Sequence, residues 1–206
     1  MSQLSYEKTI HELVDDEDIL YGILSGGNDT IVFIKTGADY DDGNVCGYEN
    51  KYLKMGHQIR ERIGATVICA SNPWIDEAPH VAADKAVISQ VAAEAGAPDH
   101  RVFFVGTSDG GYHILRLAQA VPQTTKLLGI NTSPKCEDGF ADLKAQMLAL
   151  PQVDKIQVYG TEDEAYACVP LLKSAQIPNL QVLTVEGADH EFSGMVDDFI
   201  ALIDLI

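Results

Sequence analysis

Six short runs of uninterrupted apolar residues constrain this chain more than any other feature. They are 31–34 (IVFI), 65–70 (ATVICA), 101–106 (RVFFVG), 126–130 (KLLGI), 155–160 (KIQVYG) and 180–185 (LQVLTV). Each is of strand length and rich in β-branched residues. A strand with one wet face alternates apolar and polar residues, whereas a strand covered by helices on both faces need not. Amphipathic, helix-like stretches separate the runs, at 48–63, 81–95, 110–121, 138–149, 163–174 and 194–206. In the second of these, Val81, Val87, Ile88 and Val91 fall near one face, and Gly96 then stops the helix. The last places Met195, Phe199, Leu202 and Ile206 on one stripe, which suits packing on a sheet better than lying on a membrane. The start differs: LSYEKTIHEL and DILYGIL read as two strands before the turn signal SGGND. The pattern predicts an α/β fold, a mostly parallel doubly wound sheet with antiparallel N-terminal strands.

With 206 residues, 46% of them hydrophobic, the chain suits one domain over 1–206. It has no internal repeat, low-complexity segment or linker-like stretch. A formal charge of −17 repels phosphate backbones and anionic membranes, so the expected partner is a small molecule, not a nucleic acid or a membrane. No apolar stretch approaches membrane-span length, and MSQLSYEKTIHELVDDEDIL has no basic start followed by an apolar run; a cytoplasmic location is expected. Cys46, Cys69, Cys136 and Cys168 are far apart without CxxC spacing, so they read as reduced thiols. Asp39, Asp41 and Asp42 precede Gly43 and Asn44 but lack the glutamate that completes an EF-hand loop; they read as a solvated turn, not a metal site. No dinucleotide fingerprint or P-loop appears, and no cofactor is expected.

The chemistry concentrates in three places. Gly106-Thr107-Ser108-Asp109-Gly110-Gly111 follows the strand RVFFV and precedes the helical pattern YHILRLAQAV. A serine on a sharp strand-to-helix turn presents its hydroxyl, flanking glycines let strand and helix approach, and the helix N-terminus favours developing negative charge. Such a serine needs a base, and the base an orienting acid. Thr161-Glu162-Asp163-Glu164 follows the strand KIQVYG, and Glu186-Gly187-Ala188-Asp189-His190-Glu191-Phe192 follows LQVLTV. Both groups therefore converge with Ser108 on one edge of the sheet, with Glu162, Asp163 and Glu164 as rival acids. Of the other histidines, His11 lies in the N-terminal strand and His57 on a helix. His80 and His100 flank the second helix, and His113 sits on the helix after Ser108, where packing is expected.

Through GTSDGG, YGTED and GADHEF the sequence resembles the α/β-hydrolase family over residues 30–206. The resemblance implies Ser108 as nucleophile, His190 as general base then acid, and Asp163, three residues after Gly160, as the orienting carboxylate. It also implies an oxyanion hole of backbone N–H groups, from Asp109 and from Ala38 in the loop after the third strand. The family often has His-Gly there; this chain has Thr36-Gly37. Serine at the nucleophile position argues against the dehalogenase and epoxide-hydrolase branches. Only a few residues separate Ile130 from the next helix, which implies a minimal form without the cap many relatives insert.

The resulting expectation is a carboxylic-ester or thioester hydrolase working through an acyl-enzyme. The alternatives are a non-catalytic binding or regulatory protein on the same fold, and an acyltransferase. Trp74, in the SNPW loop, and Tyr40 are candidate pocket residues. Asp39, Asp41, Asp42, Asp109, Glu162, Glu164, Asp189 and Glu191 are expected to ring the mouth of the site.

Overall fold

The computed structural model describes residues 4–38, 45–133 and 137–206, without the side chains of 137 and 138. Tyr40, the acidic turn containing Asp39, Asp41 and Asp42, and Cys136 fall outside the described residues. The strands are β1 (Lys8–Val14), β2 (Glu17–Leu24), β3 (Thr30–Lys35), β4 (Thr66–Ala70), β5 (Arg101–Thr107), β6 (Thr124–Ile130), β7 (Asp154–Gly160) and β8 (Leu180–Val185). They form one sheet in the order β1-β2-β4-β3-β5-β6-β7-β8. β1 pairs antiparallel with β2, and β2 antiparallel with β4; every later pairing is parallel. Asp15 and Asp16 close the first hairpin with both φ angles positive, which suits the right-handed twist of the paired strands. SGGND joins β2 to β3, but these are not neighbours, because β4 lies between them.

The helices are α1 (Lys51–Ile63), α2 (Glu77–Glu94), α3 (Asp109–Ala120), α4 (Glu137–Leu148), α5 (Cys168–Ser174) and α6 (Val196–Ala201). They cover both faces and give two cores. Along β3, Ile31 and Phe33 face the core built with α2 and α3, while Val32 and Ile34 face the one built with α1 and α6. That two-sided burial is why the strand reads as a continuous apolar run. β8, at the sheet edge, is only half-buried. Phe199 and Leu202 of the terminal stripe are buried against the second core. Among the described residues no helix is long and apolar enough to cross a membrane.

Two boundaries differ from the sequence expectation. α2 begins at Glu77, not near Val81, because Pro79 sits in the first turn, where a missing N–H costs nothing. His80 is thus inside α2 and buried, not flanking it. The expected helix at 163–174 is a short 3₁₀ turn, Glu164–Ala167, followed by α5; Asp163 is the cap, its side chain accepting from the Ala165 N–H.

Candidate active site

Ser108 stands between β5 and α3 with φ 54° and ψ −123°, backbone angles that L-residues avoid. The surroundings hold it there. The Ser108 N–H donates to the Ile130 carbonyl (2.8 Å), and the Gly111 N–H donates to the Ser108 carbonyl (3.0 Å). A side chain at Gly110 would collide with the Thr36 carbonyl oxygen, 2.1 Å from an ideal Cβ, so only glycine lets the turn press against the end of β3. The loop after β3 passes beside the serine: a Cβ built on Gly37 would lie 3.5 Å from Ser108 Cβ.

Ser108 opens onto a cleft of about 620 Å³. Asp163, beyond the end of β7, and His190, beyond the end of β8, line the same cleft, as do Ala38 and Asp109. The acid hydrogen-bonded to the imidazole is Asp163, whose Oδ2 lies 2.8 Å from His190 Nδ1. Its other oxygen accepts from the Ala165 N–H at 2.8 Å, which fixes the carboxylate plane. Glu162 and Glu164 border the cleft, but of the three acids it is Asp163 that bonds His190. The bond to Asp163 raises the pKa of His190, burial opposes this, and the nearby charge of Glu191 adds to the rise. Asp109, Glu162, Glu164, Asp189 and Glu191 all border the cleft, so the described part of the acidic rim is gathered there.

Three supports of this site were not read from the sequence. Asn131, fully buried with φ 49°, immediately follows β6. Its Nδ2 donates to the carbonyls of Asp189 and His190 (both 3.1 Å), and its Oδ1 accepts from the Gly160 N–H (2.8 Å). One side chain thereby ties the His190 loop to the strand that leads to Asp163. Lys51, 1% exposed, donates to the Glu191 carboxylate (2.6 Å) and carbonyl (3.0 Å), pinning the residue next to His190. The third is a buried network under the end of β3. Lys35 Nζ lies 2.6 Å from His80 Nε2 and 3.0 Å from Asp84 Oδ2; Asp84 also accepts from Tyr21 Oη (2.7 Å) and from His113 Nε2 (2.8 Å). Asn131 carried one signal: a non-glycine residue at the end of a buried strand, before Thr-Ser-Pro. The network carried none, because its members come from four separate elements.

His80, Asp84 and His113 are the trio among the described residues whose ligand atoms are close enough to hold a metal ion. The Lys35 ammonium already supplies the positive charge there, within hydrogen-bond reach of two of the three, so the donor set does not fit a divalent cation. Trp74 is 59% exposed and lines a neighbouring pocket, not the cleft beside Ser108.

No protein-family model and no curated protein matches the sequence. Solved structures do match its architecture. An α/β serine hydrolase homologue from Coxiella burnetii aligns with TM-score 0.70 at 16% identity, covering 98% of each chain. An α/β serine hydrolase without a lid from Xanthomonas campestris gives TM-score 0.71 at 16% identity, over 97% of this chain and 93% of that one. A protein of unknown function from Agrobacterium tumefaciens gives 0.73 at 15% identity, over 96% and 93%. Sheet order, helix placement and these neighbours agree that the chain has the α/β-hydrolase fold.

Proposed function

We propose that this protein is a serine hydrolase that cleaves a carboxylic ester or thioester through an acyl-enzyme. The observation that carries the reading is the His190–Asp163 pair at 2.8 Å in the same cleft as Ser108, itself held in a strained strand-to-helix turn. An ionised Asp163 only accepts, so neutral His190 carries its proton on Nδ1 and keeps a lone pair on Nε2. That lone pair takes the Ser108 proton as the oxygen attacks the acyl carbon. The N–H groups of Asp109, first residue of α3, and of Ala38 then hold the oxyanion. Imidazolium returns the proton to the leaving group, and water activated by the same nitrogen releases the acyl group.

No metal or cofactor enters these steps. We read the chain as a single lidless domain, in keeping with the short 131–136 connection, and the described free cysteines suit a reducing cytoplasm. The test is reaction with a fluorophosphonate, located by peptide mapping, together with hydrolysis of nitrophenyl esters. An adduct on Ser108 and loss of hydrolysis in a folded Ser108→Ala protein support the reading. Hydrolysis that survives Ser108→Ala refutes it, and transfer of the acyl group to an added alcohol in preference to water would make the protein an acyltransferase.

A further inference from the structure

A second cavity, of about 410 Å³, adjoins the cleft and shares Ala38, Asp109 and Ser133 with it. It touches both residues assigned to the oxyanion hole but not His190. In acyl transfer the three substituents of the acyl carbon are sorted. The oxygen faces the oxyanion donors, the leaving group must reach His190, and the acyl chain takes the remaining direction. The neighbouring cavity, which borders Ala38 and Asp109 and has neither Ser108 nor His190 in its wall, is the candidate for that direction.

Its walls are Pro73, Trp74, Ile75 and Tyr112, and it also exposes the edges of two buried histidines, His80 and His113, whose rings are 4.4 Å apart. The partners of these rings fix their tautomers. Burial lowers the pKa of Lys35 while Asp84 raises it; as the ammonium paired with the Asp84 carboxylate it donates, and His80 Nε2 is then bare with the proton of neutral His80 on Nδ1. Asp84 can only accept, so His113 carries its proton on Nε2 and Nδ1 is bare. Burial, reinforced by Lys35, keeps both rings neutral; it lowers the pKa of His80 to about 3 and that of His113 as well. The two rings that line the cavity thus carry, at Nδ1, one N–H donor and one nitrogen acceptor. Arg116, on the same wall, is paired with Glu77 and Asp142 and so brings no free positive charge.

We propose that this cavity is the acyl pocket and that it selects a neutral acyl group bearing a hydroxyl or carboxamide, held between His80 Nδ1–H and His113 Nδ1. Either group both donates and accepts. A carboxylate would meet the bare nitrogen of His113, while Arg116, the cation on this wall among the described residues, is already held by Glu77 and Asp142; a plain alkyl chain leaves both ring nitrogens dry and unpaired. The proposal rests on the hydrolase reading and names the substrate class of that site.

The test follows proton release from ethyl esters whose acyl groups end in near-isosteric isopropyl, carboxamide and carboxylate: ethyl isocaproate, ethyl succinamate and monoethyl succinate. Ethyl butyrate against ethyl β-hydroxybutyrate adds the hydroxyl comparison. In kcat/KM the carboxamide and hydroxyl esters should exceed their apolar partners by about fivefold or more, one net hydrogen bond, and the carboxylate should fall at least about tenfold below the carboxamide. His113→Phe keeps a flat ring but removes the acceptor, and should bring the polar-to-apolar ratio close to one. Because it also strips a partner from Asp84, the pocket-filling Ile75→Trp is the second variant, with the network intact; it too should erase the preference. Equal rates for carboxamide and isopropyl, a preferred carboxylate, or a preference that survives both variants overturns the pocket assignment while leaving Ser108 hydrolysis standing. No hydrolysis of any ester and no fluorophosphonate adduct on Ser108 overturns both.

Discussion

Asp163→Asn tests the acid assignment with little disturbance to the fold. The side-chain oxygen that accepts from the Ala165 N–H can be kept by the amide oxygen, so the cap of the 3₁₀ turn survives. The amide nitrogen then faces His190 Nδ1, where the carboxylate accepted at 2.8 Å. An N–H donor there demands a bare Nδ1, which forces the imidazole proton onto Nε2 and removes the lone pair that Ser108 needs. In Ser-His-Asp enzymes this swap costs about 10⁴-fold in kcat, equivalent to about 5.5 kcal/mol of transition-state stabilisation. The pH profile should move as well. The Asp163 hydrogen bond is the largest cause of the raised His190 pKa, and burial pulls the other way. Wild-type kcat/KM should therefore rise with pH through an inflection above 6.5, where His190 loses its proton. The residual activity of the variant should inflect at lower pH. The assay is kcat/KM for a nitrophenyl ester from pH 5 to about 9, with thermal melts to establish folding. A folded variant retaining activity within about tenfold, with an unmoved inflection, would refute the reasoning.

Three further outcomes follow. Ser108→Gly should abolish hydrolysis yet raise the melting temperature, since glycine relieves a backbone strain of about 1–3 kcal/mol at φ 54°; a lower melting temperature contradicts this. Asn131→Ala removes three hydrogen bonds, one buried and two partly buried, and places alanine at φ 49°, so denaturant unfolding should show a loss of about 3–5 kcal/mol, and the activity of the folded fraction should drop as the His190 loop loosens. Neutral or cationic esters should outpace matched anionic ones at low salt, because Glu162, Glu164 and Asp189 border the cleft, and the gap should narrow as salt rises; rates independent of salt would remove the rim from substrate choice.

The sequence made legible what local chemistry determines. Continuous apolar runs announced strands buried on both faces, as β3 exemplifies with Ile31 and Phe33 on one side and Val32 and Ile34 on the other. The gathering of Ser108, Asp163 and His190 in one cleft was legible because each sits just past a strand end, and parallel strands bring such ends to one edge. What stayed hidden depends on sequence-distant partners. His113 read as ordinary packing because its partner, Asp84, is 29 residues away on another helix. His80 was placed outside its helix because the apolar pattern begins at Val81, whereas the helix starts a turn earlier with Pro79 in its first turn. Trp74 read as a wall of the serine's cleft, and only the loop geometry places it one cavity over.

The distribution of cations explains how so acidic a chain keeps its site in order. It has 14 lysines and arginines against 31 acids, yet Lys35 and Lys51 are almost fully buried instead of offsetting surface charge. Burying an ammonium is costly unless it is paired and hydrogen-bonded. Each of these lysines meets that condition beside the cleft: Lys35 on Asp84, at the strand end that leads to Ala38, and Lys51 on Glu191, next to His190. Their effects on the base are opposed in sign. Asp163 and Glu191 raise the pKa of His190, while Lys51 lowers it. Those acids on their own push the imidazole pKa upward. The buried lysine beside Glu191 limits that rise while fixing the loop, so one contact serves both the geometry and the titration of the base.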